Sequence, residues 1–505
     1  MTIISSLNGS PYLTSTSPSN TTSGVASTSS ATSQDAAAGS ESTVVTIPST
    51  KYGTINVYTP QGTMDGALTT LSFAQSPTDA VSALMGNDVL AGSVSGQFAN
   101  LGSALLDRFQ TTGSSFAQSV SVSSTGATGA IGQGTQGPQG DIELTVQTAS
   151  GIEVEIDLNS SNGKLGVSVQ SSGQLSDAER AAVAGLANGF QQAINGLTTN
   201  PPTLNLSGLM QYNPSVLSSV NMHFNVSGGM SGSVSGDFSV NSAGRSLSLT
   251  DAAGTMNLSV DTSNSALLGS DAQRDQAIAS YLNQFDNANQ DGHGNTAMMA
   301  MFKDAFTQLN GDEGTSSQPA GTADTSWLAE SEQSMLTGLD DFKASISDAG
   351  GTVGNPSSFS YQVSQTTSSE GDLQNGTVTQ TQQSNLKASY QVALSGSGDY
   401  DDVQIDDSAS STVTLATEKG ILVHASLSQS SSQSTRNSNY VGGKLVSDIT
   451  TPKNTTTSKD LLALLKPISD DGEAAQDGGT SQQALATIHE MILLNASSDA
   501  SSQAV

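Results

Sequence analysis

The chain contains no cysteine. Disulfide staples, thiolate nucleophiles, cysteine-ligated zinc and iron–sulfur clusters are therefore all excluded. Aromatic residues are scarce, at 4 % of the 505 residues, and charged residues make up only 12 %. Positive charge is the scarcest: Lys and Arg number 15 against 45 Asp and Glu, a formal net charge of −30. So acidic a surface repels phosphate backbones and anionic headgroups, so neither nucleic acid nor a membrane surface is expected as a partner. Hydrophobic residues reach only 35 %. No window approaches the roughly eighteen apolar residues of a membrane-spanning helix.

The N-terminus is defined by the same kind of absence. From Met1 to Thr50 there is no Lys, Arg or His, and the only acids are Asp35 and Glu41. A Sec signal needs a positive start and an apolar run, and a mitochondrial presequence needs arginines. The first arginine is Arg108. The two readings left are a cytoplasmic protein and one exported by a route without a cleaved Sec peptide. A Ser/Thr-rich, charge-poor leader suits type III, flagellar or type I export, and the missing cysteine and high acidity agree with export.

What fills the chain is Ser, Thr, Gly, Ala, Asn and Gln. Such a composition cannot bury enough apolar surface everywhere to offset ordering entropy, so folded segments alternating with disordered ones are expected. The division read from the sequence has six parts. A disordered Ser/Thr-rich leader spans 1–49, and 50–115 holds short strands and an amphipathic helix. A β-meander with helices occupies 116–310, followed by a linker at 311–324. A second β-rich region with flanking helices covers 325–475, and a C-terminal helix and tail cover 476–505.

The clearest patterning lies between Ile142 and Val169. Ile142, Leu144 and Val146, then Ile152, Val154, Ile156 and Leu158, then Leu165, Val167 and Val169 alternate with polar residues. Period-two alternation broken by turns, one of them Asn162-Gly163, predicts a meander with one apolar face. The next segment can cover that face. Ser176 and Glu179 have capping-box spacing, and Val183, Leu186, Phe190, Ile194 and Leu197 follow at helical steps. A second helix opens with the same Ser-Asp-Ala-x-Arg at Ser270, which raises a duplicated strands-then-helix module. Helices are also predicted around Val94–Phe109, Trp327–Ile346, Ser458–Lys466 (stopped before Pro467) and Ser481–Leu494. Val413 to Leu427 reads as a hairpin turning at Glu418–Gly420. The fold class is α+β: antiparallel β-meanders covered by amphipathic helices.

Candidate chemistry is sparse. Gly132, Gly134 and Gly137 spell the dinucleotide fingerprint, but Pro138 and a strand follow where a helix should begin. Glycine also recurs every third residue from Gly126 to Gly132 and from Gly134 to Gly140, but the phase slips between the two runs, which breaks a collagen repeat. Asn287, Asn289, Asp291 and Gly292 match the early positions of an EF-hand calcium loop, but Met298 stands where the bidentate Glu belongs. The reading thus assigns no catalytic, cofactor or metal residue, with Asn287, Asn289 and Asp291 as its only calcium candidates. The acidic run Asp399, Asp401, Asp402, Asp406 and Asp407 reads as a solvated loop. His489-Glu490 begins a zinc-protease motif, but position 493 is Leu, and one histidine does not hold zinc. His223, His293 and His424 are scattered.

The stretches "LTVQTASGIEVEIDL" and "LSDAERAAVAGLANGFQQAINGL" resemble Ser/Thr-rich proteobacterial proteins with no assigned activity, over about a tenth of the chain. The composition resembles that of harpin-type secreted proteins. The resemblance implies a bacterial source and no mechanism. The leading function is a non-enzymatic bacterial protein, exported or associated with an export or surface apparatus, that binds an unidentified protein partner. The alternatives are a cytoplasmic scaffold acting through its C-terminal helix, and a hydrolase whose site is assembled only in the fold.

Overall fold

The computed structural model describes residues 54–55, 68–125, 139–227, 232–311, 328–348, 350, 357–371, 375–394, 398–465 and 478–494. The leader at 1–49, the glycines from Gly126 to Gly137, the 312–324 part of the linker and Trp327 lie outside these residues.

The alternating segments form one sheet. In chain order its strands are β1 (Thr54–Ile55), β2 (Leu68–Phe73), β3 (Phe116–Thr125), β4 (Gln139–Thr148), β5 (Glu153–Ser161), β6 (Lys164–Ser171), β7 (Leu217–Ser227) and β8 (Ser233–Asn241). They continue with β9 (Gly244–Thr250), β10 (Gly254–Asp261), β11 (Asp341–Asp348), β12 (Ser358–Gly371), β13 (Asn375–Ala393), β14 (Tyr400–Glu418), β15 (Ile421–Val441) and β16 (Lys444–Asp460). Across the sheet the order is β1, β2, β3, β6, β5, β4, β7 and then consecutive to β16. The predicted meanders are therefore continuous. β10 and β11 pair from Gly254↔Asp348 to Asp261↔Asp341, straight across the boundary that the 311–324 linker suggested. All described residues belong to one unit, 51–505.

Register explains which face is the core. Residues paired across antiparallel strands point to the same side. Leu144, Met222, Phe238, Leu247, Leu258, Ala344 and Val363 form one such row, strand after strand, and all are buried. The helices cover this side. The first group is α1 (Ala80–Asp88), α2 (Val94–Gln97) and α3 (Leu101–Thr112), with α3 against β5 and β6. The single helix predicted over Val94–Phe109 is broken, because Asn100 takes a left-handed φ of 59° ahead of α3.

The helix predicted after Ser176 is present and carries its capping box, with Glu179 Oε2 accepting from the Ser176 amide at 2.8 Å. It divides at Leu186 into α4 (Asp177–Gly185) and α5 (Ala187–Leu197). Gly189 on α5 meets α6 (Ser207–Met210) backbone to backbone: a Cβ there would sit 2.4 Å from the Gly208 carbonyl carbon. Only glycine permits that approach.

The second Ser-capped helix, α7 (Asp271–Gly292), is unbroken, and α8 (Thr296–Asn310) follows. Tyr281, Phe285, Phe302 and Phe306 from this pair interlock with Phe342 of β11 and Tyr361 of β12, most of them edge to face at 5.0–5.9 Å. The helix expected over Trp327–Ile346 is reduced to α9 (Glu330–Gln333). Gly338 has a φ of 79°, and Phe342, Ala344 and Ile346 then alternate into the core as strand β11.

The last helices, α10 (Leu461–Leu465) and α11 (Gly478–Ile492), pack on β15 and β14 around Val378, Val413, Leu415, Ala425, Leu427, Ile488 and Ile492. Polar groups also hold α11. Gln382 of β13 donates to the Ile492 carbonyl (2.9 Å) and accepts from the Leu494 amide (3.1 Å) and the Tyr281 hydroxyl (3.0 Å). Ser411 Oγ donates to the same carbonyl at 2.8 Å, and Gln429 donates to the Met491 carbonyl at 3.0 Å. Among the described residues no helix is long and apolar enough to cross a membrane.

One carboxyl works against this packing. Burial pushes the pKa of Asp340, just before β11, up to about 6 from 3.8; the Asp341 and Asp261 carboxylates add to the rise, and the Arg245 and Arg274 guanidiniums oppose it. A carboxyl whose folded-state pKa is raised binds its proton more tightly in the folded chain, so its penalty is full above pH 6 and gone below about 3.8. Asp340→Asn should therefore raise stability at pH 7 by about 2 kcal/mol. It should also flatten the gain that the wild-type chain shows between pH 7 and pH 4. Urea unfolding at several pH values checks both outcomes.

Candidate functional site

Among the described residues no helix covers the opposite face, which is polar. Its rows can be followed in register. One runs His223, Asp237, Ser248, Asn257, Ser345, Gln362, Asn385, Ser408, Ser432, Asn454. Its neighbour runs Ser239, Ser246, Ser259, Lys343, Ser364, Gln383, Ser410, Ser430, Thr456. Each strand thus contributes one hydroxyl, amide or charge per row, with neighbours in a row about 4.8 Å apart across the strands. Between β8 and β16 the two rows floor a trough of about 1040 Å³. Among the described residues its only charged lining residues are Asp237 and Lys343, and none of its lining residues is aromatic. Part of the polar floor is self-satisfied, as between Ser410 Oγ and Ser430 Oγ at 2.9 Å. Much of it is open: Gln362, Gln383, Ser408, Ser430, Ser432 and Asn454 are exposed.

Toward β4 and β5 the same face turns acidic. Asp157, Glu143, His223 and Asp237 stand in one row. Burial raises the pKa of Asp157, and the Asp141 and Glu143 carboxylates add to it while a hydrogen bond from Asn159 opposes it. His223 Nδ1 lies 2.8 Å from Asp237 Oδ1, exposed at the end of the trough. The row places carboxylates on both sides of this imidazole, where a triad would require a hydroxyl on one side.

The other histidines are elsewhere. His424 Nε2 is 3.0 Å from Ser426 Oγ on the exposed side of β15. His293 ends α7 in a left-handed conformation, stacked on Tyr390 at 3.9 Å. His489 is buried on α11, with Nδ1 3.1 Å from Gln276 Oε1 and Nε2 3.3 Å from the Thr337 carbonyl, and burial lowers its pKa. No two of the four share a site.

The calcium candidates do not lie on a loop: α7 runs to Gly292, so Asn287, Asn289 and Asp291 are helical. Asn287 and Asp291, one turn apart, line a small cavity opposite Asp407, whereas Asn289 does not line it. Burial raises both carboxyls, and the Asp291 charge adds to the rise at Asp407. Among the described residues no group of three or more His, Asp or Glu is placed to hold a metal ion. The acidic run after Asp399 is likewise not a loop but the start of β14, and its members are bonded. Asp399 accepts from the Gly442 amide (2.8 Å), Asp401 from Asn439 (2.7 Å) and Asp407 from the Ser434 amide (3.1 Å), while Asp406 pairs with Lys387 at 3.5 Å.

Comparison with protein-family models, with curated proteins and with solved structures finds no match. The trough residues were invisible in the sequence, because serines and glutamines of distant strands meet only through register. The available signal was the alternation within single strands, such as Ser246, Ser248 against Leu247, Leu249.

Proposed function

We propose that the chain is a non-enzymatic bacterial protein that acts by binding a protein partner, exported or tied to an export or surface apparatus, with the bare polar face of its sheet as the contact surface. The observation that carries this reading is the trough over β8–β16. It presents rows of neutral donors and acceptors at fixed spacing on a sheet whose other side, short of β16, is packed with helices. Single exposed hydrogen bonds contribute about 0.5–1.5 kcal/mol each, so affinity would come from many of them along an extended contact. The low charge of the trough against the net −30 of the chain favours a partner region that is itself polar and nearly neutral. Export is supported by the composition of residues 1–50.

The purified chain should co-sediment with intact bacteria or isolated envelopes. Ser408→Glu with Asn385→Glu, two like charges side by side in the trough, should lower that binding at least tenfold. Unchanged binding by a folded double variant removes the trough as the contact surface. A reporter fused behind residues 1–50 that stays inside the cell removes export.

A further inference from the structure

We infer that two copies of this chain pair edge to edge through the first half of β16. Among the described residues that strand closes one side of the sheet and is paired on one side only, with β15. Nearly every residue along it is exposed. An open strand edge is a template for another strand, and proteins blunt such edges with proline and lysine. Here the proline and most of the lysines stand in the second half. Pro452 has no amide hydrogen to offer, and Lys453 and Lys459 follow it. Residues 444–451, K-L-V-S-D-I-T-T, carry Lys444 and no proline, and a bulge lies at Val446, where the pairing with β15 passes from Tyr440↔Leu445 to Asn439↔Ser447.

The same half lies in an apolar corner. Most of the large apolar side chains exposed among the described residues gather where β13, β14, β15 and β16 end together: Val392, Leu394, Val441, Leu445, Val446 and Ile449. The last two are 59 % and 61 % exposed. Tyr400 and Tyr440 stack within this corner at 4.8 Å. Exposed apolar side chains gathered at one end of the strands in this number mark a contact.

Charge selects the occupant. Two copies with a net charge of −30 each repel wherever their acids face one another. β16 is the exception, with Lys444, Lys453 and Lys459 against Asp448 and Asp460, and with Asp448 already gripped by Arg436 through two bonds of 2.8 Å. The short sequence is also complementary to itself. Turned antiparallel about Val446, it sets Lys444 of each copy opposite Asp448 of the other and brings the two apolar corners side by side. A two-fold pairing needs this self-complementarity. Strand addition supplies main-chain hydrogen bonds, and the apolar corner supplies burial.

Sedimentation velocity of the full chain from low micromolar to ~100 µM decides the matter. The wild type should show a monomer–dimer equilibrium. Val446→Lys and Ile449→Lys, each at an exposed position, should each weaken it at least tenfold. Asn385→Glu in the trough should leave it unchanged, which separates this contact from the binding face proposed above. A wild-type chain that stays monomeric throughout overturns the inference. So does a dimer indifferent to both lysine variants, including one formed through the trough.

Discussion

Phe285→Ala should destabilise the chain by about 4 kcal/mol, the usual cost of removing a fully buried phenyl ring. The position is fully buried, and its ring lies 5.0 Å from those of Phe302 and Phe306 and 5.9 Å from that of Tyr361. It therefore touches α7, α8 and the sheet at once. Three edge-to-face contacts are lost together with the buried area, and each contributes about 0.5–1.5 kcal/mol beyond area. The cavity cannot be filled by collapse, because its walls are a sheet and two helices fixed to each other. Urea unfolding followed by near-ultraviolet circular dichroism measures the change. A shift below about 1 kcal/mol would mean that the helices are not held to the sheet through this ring.

The second large effect is expected at Gln382. Its amide satisfies three buried groups, the Ile492 carbonyl, the Leu494 amide and the Tyr281 hydroxyl. Gln382→Leu keeps the volume and removes the partners, leaving two buried donors without an acceptor. Each such loss costs about 1–3 kcal/mol, so about 3 kcal/mol in total is expected. Unlike the Phe285 change, this one should act locally. The end of α11 should lose amide protection in hydrogen exchange, and cleavage near residues 488–494 should speed up, while the strands β4–β6 keep their protection. Uniform loss of protection throughout the chain would show that the glutamine supports the sheet itself rather than the helix laid on it.

How much of this was legible follows from where apolar residues are dense enough to set a period. Ile142 to Val169 alternate cleanly, and the structure has three strands there. Ser176 and Glu179 have the right spacing, and the capping box is formed. Beyond β11 the signal fades. β16 is exposed on both sides, so nothing in Lys444–Asp460 alternates, and a strand of Thr, Ser and Lys offers no apolar pattern to read. Met335, Leu336 and Leu339 are spaced as on a helix, yet they are buried in a turn ahead of β11. The acids after Asp399 look like loop residues by composition. They are strand residues because their partners come from neighbouring strands: Ser434 and Asn439 on β15, and Lys387 on β13. The trough is the extreme case, since its existence depends on cross-strand register, which no single segment encodes.

The strand order has a consequence for how the sheet assembles. From β7 to β10, and again from β11 to β16, each strand lies beside its predecessor, so those parts can add one hairpin at a time, with short loop closures. The other side cannot. β3 must wait for β6, with Phe116 finding Val169, and the β4–β5–β6 unit must exist before either β3 or β7 has a place to attach. Pairings that distant in sequence are slow. The hairpins of this one continuous sheet should therefore mature first, and the distant seams β2–β3, β3–β6, β4–β7 and β10–β11 should be the last main-chain pairings to become protected in a pulsed-exchange refolding experiment.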